Sequence, residues 1–212
     1  MRILIAFAVL NLAFADAQAD QVTIPGYGYA RHIFWDQLFP DGGITLYCSQ
    51  PFARHLGLQV EHVYPASWMA DHLGCGSRKA CRANSPRFNL MEADLHNLYP
   101  TRAGTNGARS NMTFGDVPGE AREFGNKCDF EIDTMNRVVE PPPGARGNVA
   151  RSIFYMHREY GLPIELTLLL VLKAWNLSDP SDGEERRRND VIEGLQGTRN
   201  PFIDLPGLGN QL

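Results

Sequence analysis

The chain has 212 residues, 43% of them hydrophobic and 21% charged, with a formal net charge of −4. That length favours one domain and at most two, and the balance is that of a globular protein with a real core. Net acidity argues against a histone-like coat for nucleic acid but leaves room for an enzyme with one basic cleft, because the local field matters more than the total.

Residues 1–19 read as a secretory signal peptide. Arg2 supplies the positive start, Ile3 to Ala13 is apolar apart from Asn11, and Ala13-Phe14-Ala15, Ala15-Asp16-Ala17 and Ala17-Gln18-Ala19 offer small-x-small cleavage sites. A membrane anchor is the alternative, but the stretch is short for a bilayer. Removing it takes away one basic and one acidic group, Arg2 and Asp16. Export implies an oxidising compartment. An even set of cysteines (Cys48, Cys75, Cys81, Cys128) then favours two disulfides, with three pairings open. The expected pairing is Cys75–Cys81, closing a small loop that frames Arg78, with Cys48–Cys128. A zinc site using His72, Cys75 and Cys81 is the alternative; its spacing fits no standard finger and no fourth ligand is evident.

In chain order, residues 20–50 are rich in glycine and aromatics, with a turn at Asp41-Gly42-Gly43 and a strand expected over Ile44–Tyr47. Residues 56–63 alternate weakly, which predicts a strand that ends on Glu61 and His62. A polar, basic loop is expected over 74–87, a short helix over Phe88–Leu95, a brief strand over His96–Pro100, and a short helix within 101–111 carrying Asn106 and Arg109. Pro141-Pro142-Pro143-Gly144 is a breaker that could separate lobes. Three helices follow: Gly147–Tyr160, Leu162–Leu177 with Pro163 in its first turn, and a charged one over Glu184–Leu195 whose Arg186–Arg188 run reads as a solvated face.

Residues 61–111 carry the chemistry. Six Lys/Arg (Arg78, Lys79, Arg82, Arg87, Arg102, Arg109) stand there against four Asp/Glu (Glu61, Asp71, Glu92, Asp94), in a chain that is acidic overall. Local positive charge beside a carboxylate and an imidazole suits a phosphodiester substrate. Hydrolysis of that bond needs a deprotonated water, a cation near the developing charge and release of an alkoxide. An imidazole can take the proton; Glu61 and a downstream Asn can offer oxygens to a hard cation such as Mg²⁺. By residue type alone, the Glu-His pair fits an ordinary surface better than a catalytic site.

Several motifs in one order sharpen this reading: Glu61-His62-Val63-x-Pro65, Gly76-Ser77-Arg78-Lys79, Met91-Glu92-Ala93-Asp94-Leu95-His96-Asn97-Leu98-x-Pro100 and Asn106-Gly107-x-Arg109-x-Asn111. Further on come Arg146-Gly147-x-Val149-Ala150-Arg151, Ala174-Trp175-Asn176 and Gln196-Gly197-x-x-Asn200-Pro201-Phe202. Together, over roughly residues 44–203, the chain resembles the endonuclease I family, exported nucleases of the His-Me finger (ββα-metal) superfamily.

The resemblance implies an α+β fold, a ββα-metal core with a mostly helical remainder, and one nuclease domain over residues 20–212. It implies His62 as general base, Glu61 and Asn106 as the protein ligands of one Mg²⁺ (Ca²⁺ or Mn²⁺ as substitutes), and Arg78 as the phosphate-holding arginine. Glu92 would be a supporting carboxylate and Lys79, Arg102 and Arg109 substrate contacts. Asn97 and His96 are expected to order the ββα loop. The implied activity is sequence-non-specific cleavage of DNA, with RNA also expected, to 5′-phosphate ends by a periplasmic or secreted monomer without a membrane span. The rivals are a phosphodiesterase for small substrates and a catalytically silent nucleic-acid-binding protein of the same fold. Two departures stand out: relatives can have eight cysteines where this chain has four, and Gln59 stands where an acidic residue can occur.

Overall fold

The computed structural model describes residues 21–119 and 121–212; the leader expected over 1–19 lies outside them. The elements that place the site are two strands and a helix. Strand β3 (Leu58–His62) pairs antiparallel with β4 (Leu98–Arg102), Glu61 opposite Tyr99 and His62 opposite Leu98. Helix α5 (Ala103–Arg109) leaves β4 directly and packs on both strands. The strand over 56–63 and the helix carrying Asn106 and Arg109 are therefore where the residues predict them.

Ahead of this unit lie α1 (Tyr27–Ile33), a π-helical turn over Phe34–Leu38, and the two-residue strands β1 (Gly43–Ile44) and β2 (Pro51–Phe52). The strand expected over Ile44–Tyr47 is thus shorter, because the chain turns at Leu46–Cys48, with the Ser49 amide donating to the Thr45 carbonyl. Between β3 and β4 run α2 (Ala66–Leu73), α3 (Arg78–Asn84) and α4 (Pro86–Glu92): α3 lies within the stretch 74–87 expected as a loop, and the helix expected over Phe88–Leu95 is α4, begun and ended a few residues earlier. The reason lies in the caps. Ser77 accepts from the Ala80 amide, Ser85 from the Phe88 amide, Pro86 opens α4, and α2 stops at Gly74 in the left-handed region.

The remainder is a small sheet of β5 (Thr113–Phe114), β6 (Glu131–Asp133) and β7 (Val138–Glu140), then helices α6 (Pro143–Tyr160), α7 (Leu166–Ser178), α8 (Gly183–Gln196) and α9 (Pro201–Asp204). The fold is α+β. The proline run does not separate lobes: Pro143 is the first residue of α6, whose Val149, Ile153, Phe154 and Met156 share one core with Tyr47, Tyr64 and Phe88. Pro163 falls before α7, which starts after Glu165, whose carboxylate caps the Leu168 amide. Disulfides join Cys75 to Cys81 across the α2–α3 turn and Cys48 to Cys128 across 80 residues.

Helices α6 and α8 hold the turn that feeds β4. Asp94 there accepts from the Tyr155 and Tyr160 hydroxyls and the Gln196 amide, and Ser152 donates to the His96 carbonyl. Asn97 then clips the chain after His62: its Oδ1 accepts from the Tyr64 amide at 2.7 Å and its Nδ2 donates to the Tyr64 carbonyl at 3.0 Å. The basic run of α8 divides. Arg186 and Arg187 face solvent, but Arg188 is buried, donates to the Leu95 and Leu98 carbonyls and lies over the Tyr99 ring.

His96 is sealed in this network, donating from Nε2 to the Thr198 carbonyl at 3.0 Å. Burial, and next the Arg188 guanidinium, push its pKa down to about 3 from an ordinary 6.5. On acidification the unfolded chain binds this proton first, so the stabilisation is complete above pH 6.5 and is lost below it at about 1.4 kcal/mol per pH unit. Burial raises the Asp94 pKa, which opposes the trend only below that raised value. His96→Gln keeps a donor for Thr198 but no titrating ring. Between pH 7 and pH 5 it should lose about 2 kcal/mol less unfolding free energy than the wild type in urea titrations. An unchanged pH slope would refute this assignment.

Candidate active site

A cleft of about 430 Å³ opens where β3, α2, α3 and α5 meet, and Glu61, His62, Arg78 and Asn106 all line it. His62 is the last residue of β3 and is almost wholly buried. Its Nε2 lies 3.0 Å from the Glu92 carbonyl. A carbonyl only accepts, so Nε2 carries the hydrogen and Nδ1 the lone pair. Among the described residues none hydrogen-bonds Nδ1. Burial, followed by the charge of Arg78, pushes the His62 pKa down to about 4, so the imidazole is neutral at pH 7. The ring is thereby neutral, with a fixed tautomer and an Nδ1 lone pair.

Glu61 lies one residue earlier, also buried. Its Oε1 accepts from the Tyr47 hydroxyl at 2.6 Å and sits 3.0 Å from Arg109 Nη1. Burial raises its pKa, with Arg109 and the Tyr47 hydroxyl pulling the other way. The carboxylate would therefore gain from further positive charge in the cleft. Asn106, on α5, donates from Nδ2 to Gln59 Oε1 at 2.7 Å, which leaves its Oδ1 for the cleft. One carboxylate oxygen and one amide oxygen are a donor set that suits a hard cation keeping several of its own waters. The expected metal ligands thus fit Mg²⁺ by chemistry.

The other predicted residues separate. Arg78 lines the cleft half-exposed, while Glu92 is fully buried beneath it and does not line the cleft. The Glu92 carboxylate accepts from Arg78 and from Arg82 Nε (2.7 Å) and Nη2 (2.8 Å). Glu92 thus fixes the arginines through its side chain and His62 through its carbonyl, and its place beneath them makes it a supporting residue. Lys79 is exposed on α3 outside the cleft lining. Arg102 bonds Gln50 at the far end of the β3–β4 ladder, four residues from the His62 pair, about 13 Å by strand rise. Arg109, expected as a phosphate contact, is instead buried and donates to the carbonyls of His62 (3.1 Å) and Val63 (2.7 Å). Tyr47 and Gln59 carry no role that sequence reasoning assigns. The signal for Gln59 is its place two residues before Glu61, on the same face of the strand; Tyr47, brought in from a distant turn, gives none.

Arg109 and Arg78 should therefore fail differently. Arg109→Met leaves the buried Glu61 carboxylate without its counter-charge and takes the Arg109 donors from two carbonyls, a loss of about 3–5 kcal/mol in chemical unfolding. Arg78→Ala should leave the melting temperature within a few degrees of wild type. Equal stability of the two variants would overturn the division.

Three relatives bear on identity. An extracellular deoxyribonuclease of Aeromonas hydrophila is 40% identical over 151 residues, 69% of this chain and 65% of that one. A periplasmic deoxyribonuclease of the same organism is 40% identical over 155 residues, 71% of this chain and 65% of that one. An extracellular ribonuclease of Bacillus subtilis is 32% identical over 198 residues, 82% of this chain and 62% of that one. The matches thus span somewhat less than two thirds of each relative's length. The family model for endonuclease I matches residues 45–207, which include every cleft residue named above, and the chain belongs to the endonuclease I family.

Proposed function

We propose that the protein is an exported, metal-dependent endonuclease of the His-Me finger type that hydrolyses phosphodiester bonds in DNA, and in RNA, with little sequence preference. The observation that carries the reading is the meeting, in one cleft, of a neutral imidazole with an unshared Nδ1, a carboxylate, an amide oxygen and a half-exposed arginine. The names of the relatives support the substrate class and the extracellular or periplasmic setting. Two disulfides agree with an oxidising compartment. Among the described residues no helix is long and apolar enough to cross a membrane.

In this reading His62 Nδ1 takes the proton of the attacking water, while Nε2–H stays on the Glu92 carbonyl and holds the ring in place. Attack on phosphorus breaks the bond to O3′ and leaves a 5′-phosphate and a 3′-hydroxyl, the latter protonated from solvent. Arg78 holds a phosphate oxygen, and its planar fork suits that task better than a lysine would. Glu61 and Asn106 would hold one Mg²⁺, with Ca²⁺ or Mn²⁺ as substitutes. Bound there, the cation supplies positive charge against the charge that develops on the phosphate and the leaving oxygen. Contacts to phosphate carry no base identity, hence the weak sequence preference. A monomer suffices, since these residues all come from one chain.

Supercoiled-plasmid nicking should be abolished by EDTA and restored by Mg²⁺; nicking at full rate in EDTA would refute the metal-dependent reading. His62→Ala should lower single-turnover cleavage by about 10²–10⁴-fold and leave Mg²⁺ titration calorimetry unchanged. Asn106→Ala and Glu61→Gln (chosen over Ala so that Arg109 keeps a partner) should weaken Mg²⁺ binding, with excess Mg²⁺ restoring part of the rate. Loss of Mg²⁺ affinity in His62→Ala as large as in Glu61→Gln would reverse the roles. DNA affinity should fall steeply with salt, and Arg78→Ala should flatten the slope of log K against log salt by about one while slowing cleavage of every sequence alike. A strong consensus at mapped cut sites would contradict the backbone-only contact.

A further inference from the structure

The family match begins at residue 45, yet a ring that packs against two of the cleft residues comes from before it. Tyr27 opens α1, and its ring centroid lies 4.9 Å from that of His62, tilted by 50°. The Arg78 guanidinium stands 5.1 Å and the Arg82 guanidinium 5.2 Å from the same ring centroid. Both arginines are also held by the buried Glu92 carboxylate. The segment carrying Tyr27 is itself pinned beside them: Gln21 Nε2 donates to the Leu90 carbonyl of α4 at 2.8 Å and to the Ile24 carbonyl at 2.9 Å, and Ile24 is wholly buried.

We propose that Tyr27 is a positioning residue of the reaction: its ring braces the general base on one side and the phosphate-holding Arg78 on the other. The inference rests on the nuclease reading of the same cleft. Glu92 alone does not settle where the guanidiniums lie, because both are almost half exposed and long side chains keep much of their freedom at such a surface. An aromatic face adds a second, orthogonal restraint. The carboxylate fixes the edge of each guanidinium and the ring attracts the cation toward its own face. The same ring covers part of His62, limits the rotamers open to the imidazole and helps keep water from it. The Tyr27 hydroxyl has no part in this, so phenylalanine should serve.

The test uses Tyr27→Phe and Tyr27→Leu, each made with Arg78 intact and with Arg78→Ala. Under saturating enzyme and Mg²⁺, Tyr27→Phe should cleave within about twofold of wild type and Tyr27→Leu about tenfold more slowly, with the melting temperature and Mg²⁺ affinity of both unchanged. With Arg78→Ala present, Tyr27→Leu should cost clearly less than tenfold, because one of the two groups it positions is gone while His62 remains. A wild-type rate in Tyr27→Leu, or a full tenfold loss that persists beside Arg78→Ala, would overturn the proposal. A second readout is independent of cleavage. The ring protons of His62 should show an aromatic ring-current shift in the NMR spectra of wild type and Tyr27→Phe that disappears in Tyr27→Leu. If the wild type cleaves no nucleic acid while this shift behaves as expected, the nuclease reading fails and the packing of Tyr27 on His62 stands. If the shift does not change in Tyr27→Leu, the bracing itself is refuted.

Discussion

The Arg109 guanidinium is the constraint on which the rest of the site depends. It reaches from α5 into the end of β3 and meets the Glu61 carboxylate and the carbonyls of His62 and Val63 at once. A helix that follows a strand by a direct turn could settle on the ladder at several rotations. This fork permits one, because three oxygens must be satisfied by one plane of N–H groups in a buried region. That rotation carries Asn106, three residues earlier on the same helix, to the cleft. A lysine at this position could neutralise Glu61 or bond a carbonyl, but its point charge would not span the set.

Glu92 does double duty in a comparable way. One residue acts on two neighbours through different groups: its backbone carbonyl selects the His62 tautomer and its carboxylate gathers Arg78 and Arg82. Because the carboxylate is buried under two half-exposed cations, the assembly presents about one net positive charge to the cleft, already oriented. Donors fixed before the substrate arrives need little reorganisation when charge develops. The same nearby cations, after burial itself, help keep His62 uncharged. The proposed base and the proposed phosphate anchor are thus tuned by one set of residues.

Much of this is legible in the residues. The alternation over 56–63 places Glu61 and His62 at a strand end, and the small polar run over 101–111 places Asn106 and Arg109 on a short helix. Asn97, expected to order the loop, does so by clamping Tyr64. Charge type is the poorest guide. Arg78, Arg109 and Arg188 are the same letter, but the first stands half-exposed at the cleft, the second is buried in its wall against the end of β3, and the third is buried under β4. Only the tertiary placement of their acceptors, many residues away, decides that. The helix over Phe88–Leu95 is legible from its apolar residues, whereas α3 is readable in principle from the Ser77 cap but is masked by its polar composition. Tyr27 gives no signal, since nothing local distinguishes an aromatic that packs on a core from one that packs on the His62 imidazole.

Gln59 shows how a departure from the family pattern can be absorbed. Strand side chains alternate with a period of two, so Gln59 and Glu61 project to the same side of β3, the side that α5 approaches with Asn106. An acceptor is needed there if the Asn106 amide is to turn its oxygen toward the cleft, and the Gln59 carbonyl provides it as well as a carboxylate would. The difference is charge. With a carboxylate the pocket would hold two negative groups against Arg109; with Gln59, Glu61 and Arg109 cancel. Affinity for a hard cation follows the charge of its ligands. Were a cation held by Glu61 and Asn106, as proposed, these two residues and Arg109 would leave its surroundings near electrical balance.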